Sequence, residues 1–265
     1  MSTKAQTIES LKTRIAALEA RPALGETPRA ALPTSPLALE PGLLEEIFTD
    51  EPRNAGAALG LALGQARFLL NAERHAIIYL QLTSETQETG LPYGPGLQSF
   101  GIDPAALVLG RMDNIIDLLW ALEEAIACRP VAAVIADIAT RHRALDFTAS
   151  RRLSLKAAST GATVILLRYG RAREASAAQL RVRLVPVVSG ETPFDAQAPG
   201  PPRWRCTLEK GRARTAAGVT EILLDWTGNG FAAVETGGKP KRIAPVAPPF
   251  GPLSAALGDR LSEAG

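Results

Sequence analysis

The sequence predicts an α/β fold, with a mostly parallel central sheet flanked by helices and antiparallel edge strands in the C-terminal third. Two observations carry this. Strand-length runs that are apolar throughout, such as VAAVIAD (131–137) and ATVILLR (162–168), alternate with helical patterns, as strands covered on both faces do. Beyond residue 180 the pattern becomes an alternation of polar and apolar residues, as in LRVRLVPVV (180–188) and RWRCTLEK (203–210). That period marks half-covered, antiparallel strands.

Residues 1–21 come first. Ile8, Leu11, Ile15 and Leu18 recur at 3-4-3 spacing and Pro22 stops the pattern, which predicts an amphipathic helix with one apolar stripe. The stripe must cover either its own domain or a neighbouring protein. Residues 22–42 hold five prolines without periodicity, a linker. The core is expected over 43–235. LLEEIF (43–48) reads as a strand, and the Ala- and Gly-rich stretch from Ala55 as a tightly packed helix. HAIIYLQL (75–82) and ALVLGR (106–111) are strands, and NIIDLLWALEEAIAC (114–128) is an amphipathic helix with Asp113 placed as its N-cap. Trp120 is expected in the core. TASRRLSLKAASTG (148–161) is a helix closed by Gly161. TEILLDW (220–226) and FAAVE (231–235) continue the antiparallel edge, where Trp204 and Trp226 are expected to pack. Residues 236–265 are Gly- and Pro-rich with a short helix-like end, and predict a mobile or partner-ordered tail.

Bulk composition excludes several classes. Twenty-nine basic against 27 acidic residues give a net charge of +2, which does not mark a strong nucleic-acid binder. Cys128 and Cys206 stand far apart in no metal-ligand or disulfide pattern, so two reduced cytosolic thiols are expected. The N-terminus has no apolar leader-like region, and no stretch reaches the ~18 apolar residues of a membrane span. The expected location is cytoplasmic. No Ser-His-Asp set, nucleophile elbow or dinucleotide fingerprint occurs, and His75 and His142 are isolated.

The order of elements resembles the core of bacterial RecA, most of all in the block YGPGLQSFGIDPAALVLGRMDNIIDLLWALEEAIACRPVAAVIADIA. With YGPGL, the turn FGIDP and the helix DLLWALEEA, the chain is more similar to the ImuA family, RecA-like and sometimes SulA-like accessories of bacterial SOS mutagenesis. RWRCTLEKGRAR and ILLDWTGNGF also look like that family's closing strands. The resemblance covers about 43–235 and implies a RecA-like core.

A RecA-type ATPase needs a phosphate loop whose amides and lysine hold the phosphates. The loop position here reads FTDEPRNAGAALG, and no lysine occurs between Lys12 and Lys156. Asp50 and Glu51 put negative charge where phosphates would sit, a repulsion of about 1 kcal/mol per pair at ~4 Å even in bulk water. Gln81 stands in the place of the water-activating carboxylate, and Glu85 follows several residues late. Asp137 matches the strand-end aspartate that would hold Mg²⁺ with nucleotide; without a phosphate loop it is expected to cap the following loop as a degenerate relic. No cofactor and no metal are expected. The loops corresponding to DNA-binding loops are short, yet Arg141, Arg143, Arg168, Arg171 and Arg173, with Arg151 and Arg152, could gather at one sheet edge and touch phosphate. Such DNA contact would be weak and salt-sensitive.

The resemblance implies a non-catalytic scaffold in damage-induced, error-prone translesion synthesis. The partners it implies are ImuB (a Y-family polymerase-like protein), RecA, and an error-prone replicative-type DNA polymerase, with no membrane. Ile8, Leu11, Ile15 and Leu18 are the expected partner contacts. Two other readings stand beside it: a SulA-like inhibitor of cell division, and a DNA-dependent ATPase of RecA type.

Overall fold

The computed structural model describes residues 36–190, 198–211, 220–227 and 230–234. The expected helix with Ile8, Leu11, Ile15 and Leu18, most of the linker and the tail from 236 lie outside the described residues. Where the described chain begins, Leu37 and Leu39 are each 2% exposed. The end of the proline-bearing stretch is therefore packed core rather than free linker.

Strand β1 (Leu44–Thr49) is wholly buried and leads through a 3-10 turn at Pro52–Asn54 into helix α1 (Ala55–Arg67). Strand β2 (Ala76–Leu82) follows, then two short helices, α2 (Thr86–Thr89) and α3 (Gly94–Ser99). Strand β3 (Leu107–Met112) leads to α4 (Ile115–Ala127), β4 (Val131–Ile138), α5 (Phe147–Thr160) and β5 (Thr163–Tyr169). Strands β6 (Leu180–Val187), β7 (Arg203–Lys210), β8 (Glu221–Trp226) and β9 (Phe231–Ala233) complete the described chain.

The nine described strands form one sheet in the order β3-β2-β4-β5-β1-β6-β7-β8-β9. From β3 to β6 neighbours run parallel; β6, β7, β8 and β9 pair antiparallel. The expected α/β architecture, mostly parallel with antiparallel strands towards the C-terminus, is what forms. The apolar runs read from the sequence are its centre: β4 is buried at every position.

Helices cover both faces. On one, α1 and α3 pack on Ile47, Ile135, Ile165, Trp204 and Trp226. On the other, α4 and α5 pack on Leu44, Val134, Val164 and Leu166. Helix α1 comes close to the late strands because Gly60 and Gly64 have no side chain. A Cβ on Gly64 would lie 2.5 Å from Phe231 Cζ. Trp204 and Trp226 pack there as expected, with Phe100 centred 5.0 Å from Trp226 and Phe231 5.2 Å from it. Their indole N–H groups donate to the carbonyls of Ala57 (3.0 Å) and Ser99 (2.9 Å), as buried Trp requires.

Two local expectations are corrected. Asn114, not Asp113, caps α4: its side chain accepts from the Asp117 N–H at 3.0 Å. Trp120 is not core. It is 67% exposed, because Ile115, Leu118, Leu119, Leu122, Ala125 and Ile126 already fill the inward face of α4 and Trp120 falls outside that stripe. Helix α5 is capped by Asp146, whose side chain accepts from the Ala149 N–H, and ends at Gly161 with φ +81°, the left-handed stop that glycine adopts without strain.

Candidate functional site

The residues singled out for chemistry meet where β1, β2, β4 and β5 end. Asp137 lies near the end of β4, 3% exposed. It does not cap the loop that follows. Its carboxylate accepts from the Tyr79 hydroxyl of β2 at 2.6 Å and from the Tyr169 hydroxyl of β5 at 2.7 Å. The register explains this: β4 lies between β2 and β5, with Asp137 opposite Gln81 and Leu167, so tyrosines two residues away on the same face reach it from both sides. Burial pushes the Asp137 carboxyl above the usual carboxylate range, although both phenol hydrogen bonds pull it down. Burial also drives both phenols well above the usual tyrosine range, and the neighbouring Asp137 charge adds to this.

Glu85 does the capping that Asp137 was expected to do. Its two carboxylate oxygens accept from the backbone N–H groups of Ala139 (2.9 Å) and Thr140 (2.8 Å), clamping the loop after β4. Gln81 is also committed: its amide donates to the Thr89 hydroxyl and accepts from the Thr86 hydroxyl at 3.2 Å.

The stretch in the phosphate-loop position is met by ion pairs from within the chain. Asp50 lies 3.4 Å from Arg173 Nη2 and 3.3 Å from Arg183 Nη1, so its charge is partly compensated. Glu51 pairs with Arg53. A cleft of about 220 Å³ at this point is lined by Asp50, Glu51, Arg53, Asn54 and Arg171. Ligand pockets generally run from about 300 to 1,000 Å³, so the cleft is small for a nucleotide.

The arginines do gather near one end of the sheet, but most are already held. Arg168 is 7% exposed and donates to Glu174 at 3.0 Å, and Arg141 pairs with the same carboxylate. Arg173 donates to Glu209 at 2.8 Å and lies 4.0 Å from the Phe48 ring centroid. Arg152 binds Glu123 at 2.7 Å. Arg143, Arg171 and Arg151 are exposed and have no ion pair among the described residues. Sequence reasoning had no signal for Arg183 at Asp50, or for Arg181, which donates to Glu46 at 2.7 Å; each pair joins residues more than 130 positions apart. The tyrosine pair on Asp137 had a weak signal, since Tyr79 and Tyr169 both stand in apolar strand runs next to it.

Beneath this end, Glu45 of β1 is fully buried and accepts from Gln65 Nε2 of α1 at 3.1 Å. The same amide donates to the Leu37 carbonyl at 3.1 Å, tying the entering chain to helix and sheet. Burial raises the Glu45 carboxyl to about 8, against a smaller lowering by the Gln65 hydrogen bond. Cys206 is buried, and burial together with the Glu45 charge pushes its thiol up; Cys128 is exposed.

Two curated proteins are similar to part of this chain. Both are called Protein ImuA, from Caulobacter vibrioides strains NA1000 / CB15N and ATCC 19089 / CIP 103742 / CB 15. Each is 35% identical over 136 residues, 48% of this chain and 54% of its own length. Over that stretch the chain is similar to proteins named ImuA. The chain spans about half the length of the curated ImuA proteins it matches. No family model matches the sequence. No helix among the described residues is long and apolar enough to cross a membrane.

Proposed function

We propose that this ImuA-like chain is a non-catalytic, RecA-like accessory of damage-induced, error-prone translesion synthesis, acting by binding ImuB and RecA in the cytoplasm. The observation that carries the reading is the way the chain occupies its own would-be nucleotide end. Asp50 is paired with Arg173 and Arg183, and Asp137 is hydrogen-bonded by two tyrosines. Nucleotide with Mg²⁺ would have to break these contacts without a phosphate-loop lysine to replace them. The similarity to proteins named ImuA supports the same direction. An error-prone replicative-type polymerase belongs to the same proposed assembly. Direct DNA contact is weak or absent in this reading, since Arg141, Arg168 and Arg173 already face carboxylates and bind phosphate only by giving them up.

The test is a pull-down of the tagged full chain from DNA-damaged and undamaged cells, with mass spectrometry of what is retained. Recovery of ImuB and RecA, mainly after damage, is expected. Leu11→Asp with Ile15→Asp is expected to lower the yield while the core stays folded, if the N-terminal stripe makes the contact. Recovery of division-septum proteins in place of ImuB would overturn the reading in favour of a division inhibitor. Micromolar ATP binding with DNA-stimulated hydrolysis would overturn its non-catalytic part.

A further inference from the structure

The outward face of α4 carries large apolar side chains that the fold does not use. Ile116 is 62% and Trp120 67% exposed, one helical turn apart and so on one face. On the adjacent α5, Leu155 is 47% exposed. The two helices are linked by the Arg152–Glu123 pair at 2.7 Å. A third helix laid along such a pair buries side chains of both. Trp is enriched at the centres of protein interfaces.

On α4 itself the charge has one sign, while the basic Arg151, Arg152 and Lys156 stand on the neighbouring α5. Residues 113–124 (DNIIDLLWALEE) hold four carboxylates and no basic residue, in a chain whose net charge is +2. Asp113, Asp117 and Glu124 are exposed. Such a rim attracts a basic surface and repels an acidic one.

We propose that the Ile116–Trp120 face of α4 is a docking surface for a basic, apolar-striped helix of a partner protein. The chain's own residues 1–21 are the rival occupant, with four basic and two acidic side chains. Their point of entry argues against them. Leu37 and Leu39 pack in the cluster under α1, on the opposite face of the sheet from α4. The segment would have to pass around the sheet to reach Trp120.

The proposal rests on the partner-binding role above and is tested separately from it. A photo-crosslinking p-benzoylphenylalanine is placed at Ile116 of the full chain, in cells after DNA damage, with the same group at Gln98 on α3 as control. The crosslinked peptides are then sequenced. The expected result is a peptide of another protein with excess Lys and Arg and apolar residues at helical spacing, obtained from position 116 only. Asp113→Lys with Glu124→Lys should cut its yield at least tenfold. Neither carboxylate makes a side-chain contact among the described residues, so this variant should melt like the parent. If the peptide belongs to ImuB or RecA, both the surface and the proposed function stand. If it is a basic helix of an unrelated protein, the surface stands and the proposed function falls. Crosslinks to residues 1–21 of the same chain, to an acidic or irregular peptide, or to nothing would overturn the proposal. So would a yield indifferent to the charge reversal.

Discussion

Glu45 offers a direct test of how β1 and α1 are joined. Its carboxyl is fully buried and raised from the usual 4.5 to about 8. Its Oε1 accepts from Gln65, while Oε2 has no hydrogen-bond partner among the described residues. The protonated form therefore belongs to the folded state and the ionised form to the unfolded one. Below about pH 4.5 both states hold the proton and no penalty exists. Between about 4.5 and 8 the unfolded chain gives up the proton and the folded chain keeps it, so stability falls as pH rises, at most tenfold in the folding constant per unit. At ~1.4 kcal/mol per unit the full penalty over these 3.5 units is on the order of 5 kcal/mol, reached above about pH 8. Glu45→Gln keeps the size and the hydrogen bond but cannot ionise. Urea unfolding of both proteins at pH 5, 6.5 and 8 should show the variant gaining on the parent at each step, then levelling off. A difference that stays constant across those three values would refute a buried, neutral Glu45.

Three shorter predictions come from neighbouring contacts. Tyr79→Phe removes one of the two phenol donors to Asp137, and should lower stability by about 1–3 kcal/mol in urea unfolding; no loss would mean that the hydrogen bond contributes nothing. Gly64→Ala should destabilise despite the better helix propensity of alanine, by about 1–3 kcal/mol, because the new Cβ meets Phe231 and Trp226; a stabilised variant would contradict the close packing of α1 on the late strands. Thiol labelling of the native chain should modify Cys128 quickly, and Cys206 only on unfolding, since the latter is buried with its thiol pushed up; equal rates would contradict it.

The parts of the fold legible in the sequence are those whose causes are local. Apolar runs such as VAAVIAD and a glycine stop at 161 carry their own meaning, because burial on both faces and a left-handed cap are each set within a few residues. The candidate site was legible as positions but not as contacts. Asp137 could be placed at a strand end from its apolar run, yet its partners come from strands 58 and 32 residues away. Glu85 reads as a misplaced carboxylate until the loop after β4 folds over it. Asp50 reads as a bare negative charge because Arg173 and Arg183 arrive from more than 120 residues later. Trp120 misleads for another reason. Hydrophobicity alone assigns it to the core, whereas the inward stripe of α4 is already complete without it.

In the proposed function this chain holds a protein partner without nucleotide. The most direct measurement is a calorimetric titration of the full chain with ImuB from the same cell, in buffer free of ATP, followed by addition of ATP with Mg²⁺. Saturable binding is expected in the first titration, with no change on adding ATP. Absence of binding, or binding that appears only with ATP, would contradict it.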